Sequence, residues 1–289
     1  MSTRNSSIGS PVVLVLVGIL SVQLGAGVAK SLFDEVSPTT IVWLRLAASA
    51  LVLVAVARPR LRDRSRADWL VVLGFGLSLG LMNWAIYQSF ARIPLGLAVT
   101  IEFVGPLTLA VLGSRRARDL VWVGLAAIGV LLLGFERTDL DPAGVAFAVL
   151  AGAAWASYIL LSAQTGSRWS GFDGLTVASV VAMLLLTPVT LTSYAAELTS
   201  SHVVLLGVLV GLLSSVIPYT CELVALRSIR PATFSVLMSL EPAAAALAGV
   251  VVLHELLTPV QLLAMACVVA ASVGATRSRG GVLAEPVPD

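Results

Sequence analysis

Two stretches decide the fold: IPLGLAVTIEFVGP at Ile93–Pro106 and IRPATFSVLMSLEP at Ile229–Pro242, which align without a gap at an offset of 136 residues. In each, a short polar turn with a proline (Pro94, Pro231) opens an apolar helix that ends near a Glu and a Pro, Glu102 with Pro106 and Glu241 with Pro242. Working outward, apolar runs of membrane-spanning length recur between brief charged punctuations. About 20 mostly apolar residues cross the hydrocarbon core. Helices are expected at 11–33, 39–57, 69–91, 93–113 and 119–135, then at 143–163, 173–193, 202–226, 231–253 and 258–276. Helix is the required choice, because a backbone in lipid must satisfy its own hydrogen bonds and these runs lack the alternation of barrel strands. The fold class is therefore an all-α membrane protein of ten transmembrane helices. Because five is odd, the second half enters the membrane from the opposite side, giving two inverted-topology five-helix repeats at 11–135 and 142–276, with tails at 1–10 and 277–289.

Composition agrees. Of the 289 residues 58% are hydrophobic and only 12% charged, with mean hydropathy +0.98, whereas a soluble domain carries about 25% charged residues. The 18 basic residues are 17 Arg and Lys30. With a cytoplasmic N-terminus, the inside segments hold 14 of them: Arg4, Arg58, Arg60, Arg62, Arg64, Arg66, Arg115, Arg116, Arg118, Arg168, Arg227, Arg230, Arg277 and Arg279. The outside segments hold Lys30, Arg92 and Arg137, and Arg45 lies within a span. This asymmetry places both termini in the cytoplasm. There is no basic tail or aromatic-basic stripe for nucleic acid. Cys221 and Cys267 sit singly in apolar segments, and no His pair or Walker motif is present, so no metal site and no cofactor is expected.

A charge at the bilayer centre costs roughly 2.5 to 3.5 kcal/mol even on the lenient insertion scale. Arg45, Glu102, Glu222 and Glu241 must then line a wet cavity or find partners, and they mark the expected pathway. Helical spacing adds further candidates. Gln23, Gly27 and Lys30 share one face; Asn83 with Tyr87 and Trp84 with Gln88 are i, i+4 pairs; Trp155, Tyr158 and Ser162 form a stripe; Tyr219 and Glu222 are one turn apart. Two readings of Arg45 stand side by side, a structural partner for Glu102 or Glu241 and a direct substrate contact. Lys30, near a helix end, is either a snorkelling anchor or a site residue. Glu255 is expected to be solvated or to cap a turn.

The stretches SVQLGAGVAKSLF (21–33), WLRLA (43–47), SLGLMNWAIYQSFARIPLGLAVTIEFVGPLTLAVLGSRR (78–116), GAAWASYIL (152–160) and PYTCELVALRSIRPATFSVLMSLEPA (218–243) resemble the EamA-type transporters of the drug/metabolite transporter superfamily. Within it they are most similar to the inner-membrane threonine and homoserine exporters. The resemblance runs from Pro11 to Thr276. It implies ten helices in two inverted halves, a central cavity, and efflux of small amino acids from a bacterial cytoplasm by alternating access, driven by protons or by the substrate's own gradient. The segment between the fourth and fifth helices is short and Arg-rich and lacks the Gly-Glu turn of the broad family, which matches the exporter subgroup.

The expected partners are a small amino acid, the lipid bilayer and a coupling proton, in a monomer or homodimer. The substrate ammonium would face Glu102, Glu222 or Glu241, its carboxylate Arg45 or Lys30, and a side-chain hydroxyl Asn83, Gln23 or Gln88. Any of the three Glu residues is a candidate proton carrier. The sequence leaves two alternatives: export of another metabolite, such as an aromatic amino acid or a nucleotide precursor, and an intramembrane enzyme. Against the enzyme, the sequence has no GxSxG or HExxH motif.

Overall fold

The computed structural model describes residues 9–62, 64–112, 120–135, 140–226 and 231–280. Those residues form helices with no strand among them: α1 (Gly9–Ser31), α2 (Pro38–Ala57), α3 (Arg66–Phe90), α4 (Leu95–Glu102), α5 (Val104–Leu112), α6 (Leu120–Phe135), α7 (Pro142–Arg168), α8 (Asp173–Ser193), α9 (Ser201–Gly211), α10 (Ile217–Leu226), α11 (Pro231–Met238), α12 (Glu241–Leu253) and α13 (Pro259–Gly280). Among the described residues seven helical runs are long and apolar enough to cross a membrane, and three shorter apolar runs lie at Leu95–Leu109, Leu120–Gly129 and Ser201–Val216. Local chemistry sets the boundaries. Ser37 caps α2 ahead of Pro38, Ser65 and Asp68 form a reciprocal capping box that starts α3 at Arg66, and Asp141 caps α7 ahead of Pro142.

Three expected spans are not continuous. The fourth breaks at Phe103 into α4 and α5, and the ninth breaks at Ser239–Leu240 into α11 and α12. Pro106 has no N–H for the carbonyl of Glu102, and Pro242 has none for Met238, so each proline removes the bond that would hold the helix across its break. The eighth span carries a π-helical turn at Leu212–Val216 between α9 and α10. Pro218 is the cause there, since it cannot donate to Ser214.

α3 packs on α7 and α8, α2 on α8 and α9, α1 on α10 and α12, and α6 on α13. The broken span α4 crosses α12, where Gly96 lies so close to Ala246 that a Cβ would meet its Cα at 2.8 Å. The polar contacts separate into two ends. At one, Lys30 pairs with Glu255, Ser37 with Glu197 and Arg92 with Asp141. At the other, Arg64 pairs with Asp173 and Arg168 with Asp68. These are called the Lys30 end and the Arg64 end below. Arg4, Arg115, Arg116, Arg118, Arg137, Arg227 and Arg230 lie outside the described residues.

Candidate functional site

Arg45 and Glu102 each stand seven residues into a helix that starts at the Lys30 end, hence about 10 Å down at 1.5 Å per residue. The guanidinium reaches across three helices. Nε donates to Ser215 Oγ at 3.3 Å, Nη1 to the Tyr87 hydroxyl at 3.3 Å and Nη2 to the Ser214 carbonyl at 2.9 Å, with Cζ 5.6 Å from the Tyr87 ring centroid. Ser214 can accept because Pro218 leaves its carbonyl without the usual helical donor. The preceding carbonyl, of Leu213, accepts from Ser21 on α1 at 2.6 Å. The π turn thus exposes main-chain oxygens inside the bundle and lets α1 and α2 use them. A guanidinium has five N–H donors; three are engaged here, and two have no partner among the described residues.

Glu102 is buried at the C-terminus of α4, immediately before the break, and is within electrostatic reach of both Glu241 and Arg45. Glu241 opens α12 just after the second break and is half-buried. The carboxylates beside the two breaks therefore lie within electrostatic reach of each other, and Arg45 lies within reach of Glu102. The Glu102 main chain is also the floor of a close crossing. A Cβ on Gly152 of α7 would lie 2.6 Å from the Glu102 carbonyl oxygen, and one on Gly105 would collide with the Gly152 main chain. Trp155, one turn on from Gly152, meets the Phe103 ring edge-on at 5.3 Å.

Other candidates are sorted by their partners. Gln23 is 3% exposed and its Oε1 has no hydrogen-bond partner among the described residues. It lies one turn from Gly27, which packs on Val252 of α12. Asn83 is buried, but its amide donates to the Leu79 carbonyl of its own helix at 2.8 Å. Gln88 donates to Thr39 Oγ1 at 3.2 Å and accepts from Arg92 at 3.1 Å, and Trp84 shares Thr39. Lys30 is tied to Glu255 at 2.6 Å and to the Ile93 carbonyl at 2.7 Å. The other oxygen of Glu255 accepts from Leu95 N–H at 2.8 Å, so Glu255 caps α4. The expected stripe on α7 is divided: Trp155 faces the break, while Tyr158 packs on Phe75 of α3 at 5.1 Å and lines, with Ser162, a separate cavity of about 190 Å³ toward the Arg64 end. The side chains of Tyr219 and Glu222 lie outside the described residues.

Sequence reasoning missed Ser214, Ser215 and Ser21. The signal was present in Ser214-Ser215 followed by Pro218 inside an apolar run. Among the described residues no cluster of His, Cys, Asp and Glu has a metal-binding arrangement.

The described site is thus a cation held on an opened helix turn, within electrostatic reach of Glu102 beside a helix break. The sequence comparisons are decisive. The chain is 41% identical over 278 residues to the threonine/homoserine exporter RhtA of Escherichia coli K12, covering 95% of this chain and 94% of that protein. The chain belongs to the EamA-like transporter family. The EamA-like transporter model itself matches residues 142–277. The RhtA exporter of Salmonella typhimurium LT2 is 39% identical over the same coverage. A solved crystal structure shares the EamA-like chain's fold with a TM-score of 0.63 at 18% identity, covering 94% of this chain and 99% of that one. These sequence relatives are exporters rather than enzymes.

Proposed function

We propose that the chain is a secondary exporter of small hydroxylated amino acids, threonine and homoserine, working by alternating access in the bacterial inner membrane. The carrying observation is Arg45, fixed by Tyr87 and the π turn, with two donors unpartnered among the described residues and within electrostatic reach of buried Glu102. This site offers each charge of a zwitterion a partner of opposite sign: the carboxylate goes to Arg45 and the ammonium to Glu102 or Glu241. Of the three amides first considered for the substrate hydroxyl, Asn83 donates to Leu79 and Gln88 is spent on Thr39 and Arg92. Gln23, with its unpartnered Oε1, is the reader that fits. Lys30 acts as a clamp on the ends of α1, α4 and α12 rather than as a substrate contact. The named function of the RhtA relatives supports this reading.

Ten spans in two inverted five-helix halves account for the seven long and three shorter apolar runs. They also account for breaks at Phe103 and Ser239, which keep the 136-residue offset of the repeat. The basic excess of the Arg64 end, with the Arg58–Arg66 run, supports a cytoplasmic position for it. Glu102 and Glu241 together are a place for one shared proton, which would couple export to the proton gradient. The test is export of labelled threonine and homoserine from cells overproducing the chain, with an aromatic amino acid as control and external pH varied. Selective, pH-dependent efflux supports the proposal; no efflux above control despite membrane insertion refutes it.

A further inference from the structure

At the Arg64 end, α2 stops at Arg58, which adopts a left-handed conformation at φ +46°, and the described residues between it and the Ser65 cap belong to no helix. Residues 58–68 hold five arginines against Asp63 and Asp68, with Asp63 outside the described residues. The described acids of this face are already used. Asp68 accepts from Ser65 and Arg168, and Asp173 accepts from the Arg60 main-chain N–H at 3.3 Å and pairs with Arg64. Arg58, Arg60, Arg62 and Arg66 are exposed, and none enters an ion pair with a described residue. Beside them opens a groove of about 390 Å³ whose walls include Val56, Arg60, Gly171, Phe172 and Asp173. Val56 is 74% exposed and Phe172 41% exposed.

We infer that this groove binds an anionic phospholipid, its phosphate against Arg60, with exposed Arg62 two residues along adding positive charge, and its glycerol and first methylenes along Val56 and Phe172. An orientation signal needs only the charges, and any loop conformation supplies it. Here the loop folds onto α8 through Asp173 and leaves a cleft that is cationic at its rim and apolar along its wall, at the level where the spanning helices end. That is the polarity profile of a lipid headgroup joined to its acyl chains. Neither a free anion nor a water-filled cleft has use for the exposed Phe172.

The test uses the purified full-length chain in neutral detergent, titrated with phosphatidylglycerol, with phosphatidylcholine and with inorganic phosphate, reading bound lipid by native mass spectrometry. Phosphatidylglycerol is expected to bind at least tenfold more tightly than phosphatidylcholine, and equimolar phosphate is expected not to displace it. Each arginine near the surface is worth about a fivefold change, so Arg60→Gln with Arg62→Gln weakens phosphatidylglycerol by about 25-fold. Phe172→Ser, which keeps every charge, also weakens it and covers the case in which the double variant does not insert. Equal binding of the two lipids, wild-type binding by Phe172→Ser, or displacement by phosphate would each overturn the inference.

Discussion

Replacing Gly152 with alanine puts a methyl group 2.6 Å from the Glu102 carbonyl oxygen and 3.4 Å from its Cα. Both are main-chain atoms next to the α4–α5 break, so no side chain can turn away to make room. The same substitution at Gly124 of α6 meets nothing within 4 Å. Alanine gains up to about 1 kcal/mol over glycine in a helix interior at either position, and that gain cancels between the two variants. The overpacking cost of about 1 to 3 kcal/mol then appears alone in their difference. At roughly 2 to 4 °C per kcal/mol for chains of comparable size, Gly152→Ala should melt about 2 to 12 °C below Gly124→Ala. The assay is the loss of monodisperse protein on size exclusion after heating in detergent, run on both variants side by side. Because Glu102 moves with its own main chain, Gly152→Ala should also lose export while Gly124→Ala keeps it. Equal melting temperatures would refute the account of the crossing.

Other variants probe other joints. Pro218→Ala returns an N–H to compete for the Ser214 carbonyl; a helix-interior proline costs about 3 kcal/mol, so this variant should be more heat-stable yet export more slowly, and faster export would contradict the role given to the π turn. Lys30 and Glu255 are 18% and 17% exposed, so a double-mutant cycle on melting should show coupling of roughly 1 to 2 kcal/mol, whereas a value below about 0.3 kcal/mol would make the pair incidental. Glu102→Gln should flatten the dependence of export on external pH; retained pH dependence would remove Glu102 from the proton role.

Much of the scaffold was legible before any coordinates. Run length and charge located the apolar helices, whereas the caps at Ser37, Ser65 and Asp141 emerged only with the structure. The broken spans were half legible: Pro106 and Pro242 were noted as a repeated feature, yet each run was read as one helix, because hydropathy averages over a missing hydrogen bond. Helical spacing grouped Trp155, Tyr158 and Ser162 as one stripe, whereas Trp155 meets Phe103 and Tyr158 meets Phe75. It could not say that α4–α5 and α3 divide that stripe between them, because spacing names a face and not its neighbour. For Glu255 the sequence leaves open solvation or capping, and its partners Lys30 and Leu95, which decide for the cap, lie far away in sequence. The Arg45 ligands were hidden for a similar reason, since two of them belong to a turn that becomes available only when Pro218 opens it.

The most direct test of the central claim is threonine counterflow in liposomes carrying either the wild-type chain or Arg45→Lys. Lysine keeps the charge but cannot span Tyr87, Ser214 and Ser215 while offering a carboxylate two parallel donors. The account predicts saturable threonine and homoserine exchange by the wild type, no exchange of an aromatic amino acid, and a half-saturation concentration raised about 10- to 100-fold in Arg45→Lys with the same amount of inserted protein. Wild-type exchange by Arg45→Lys would contradict it.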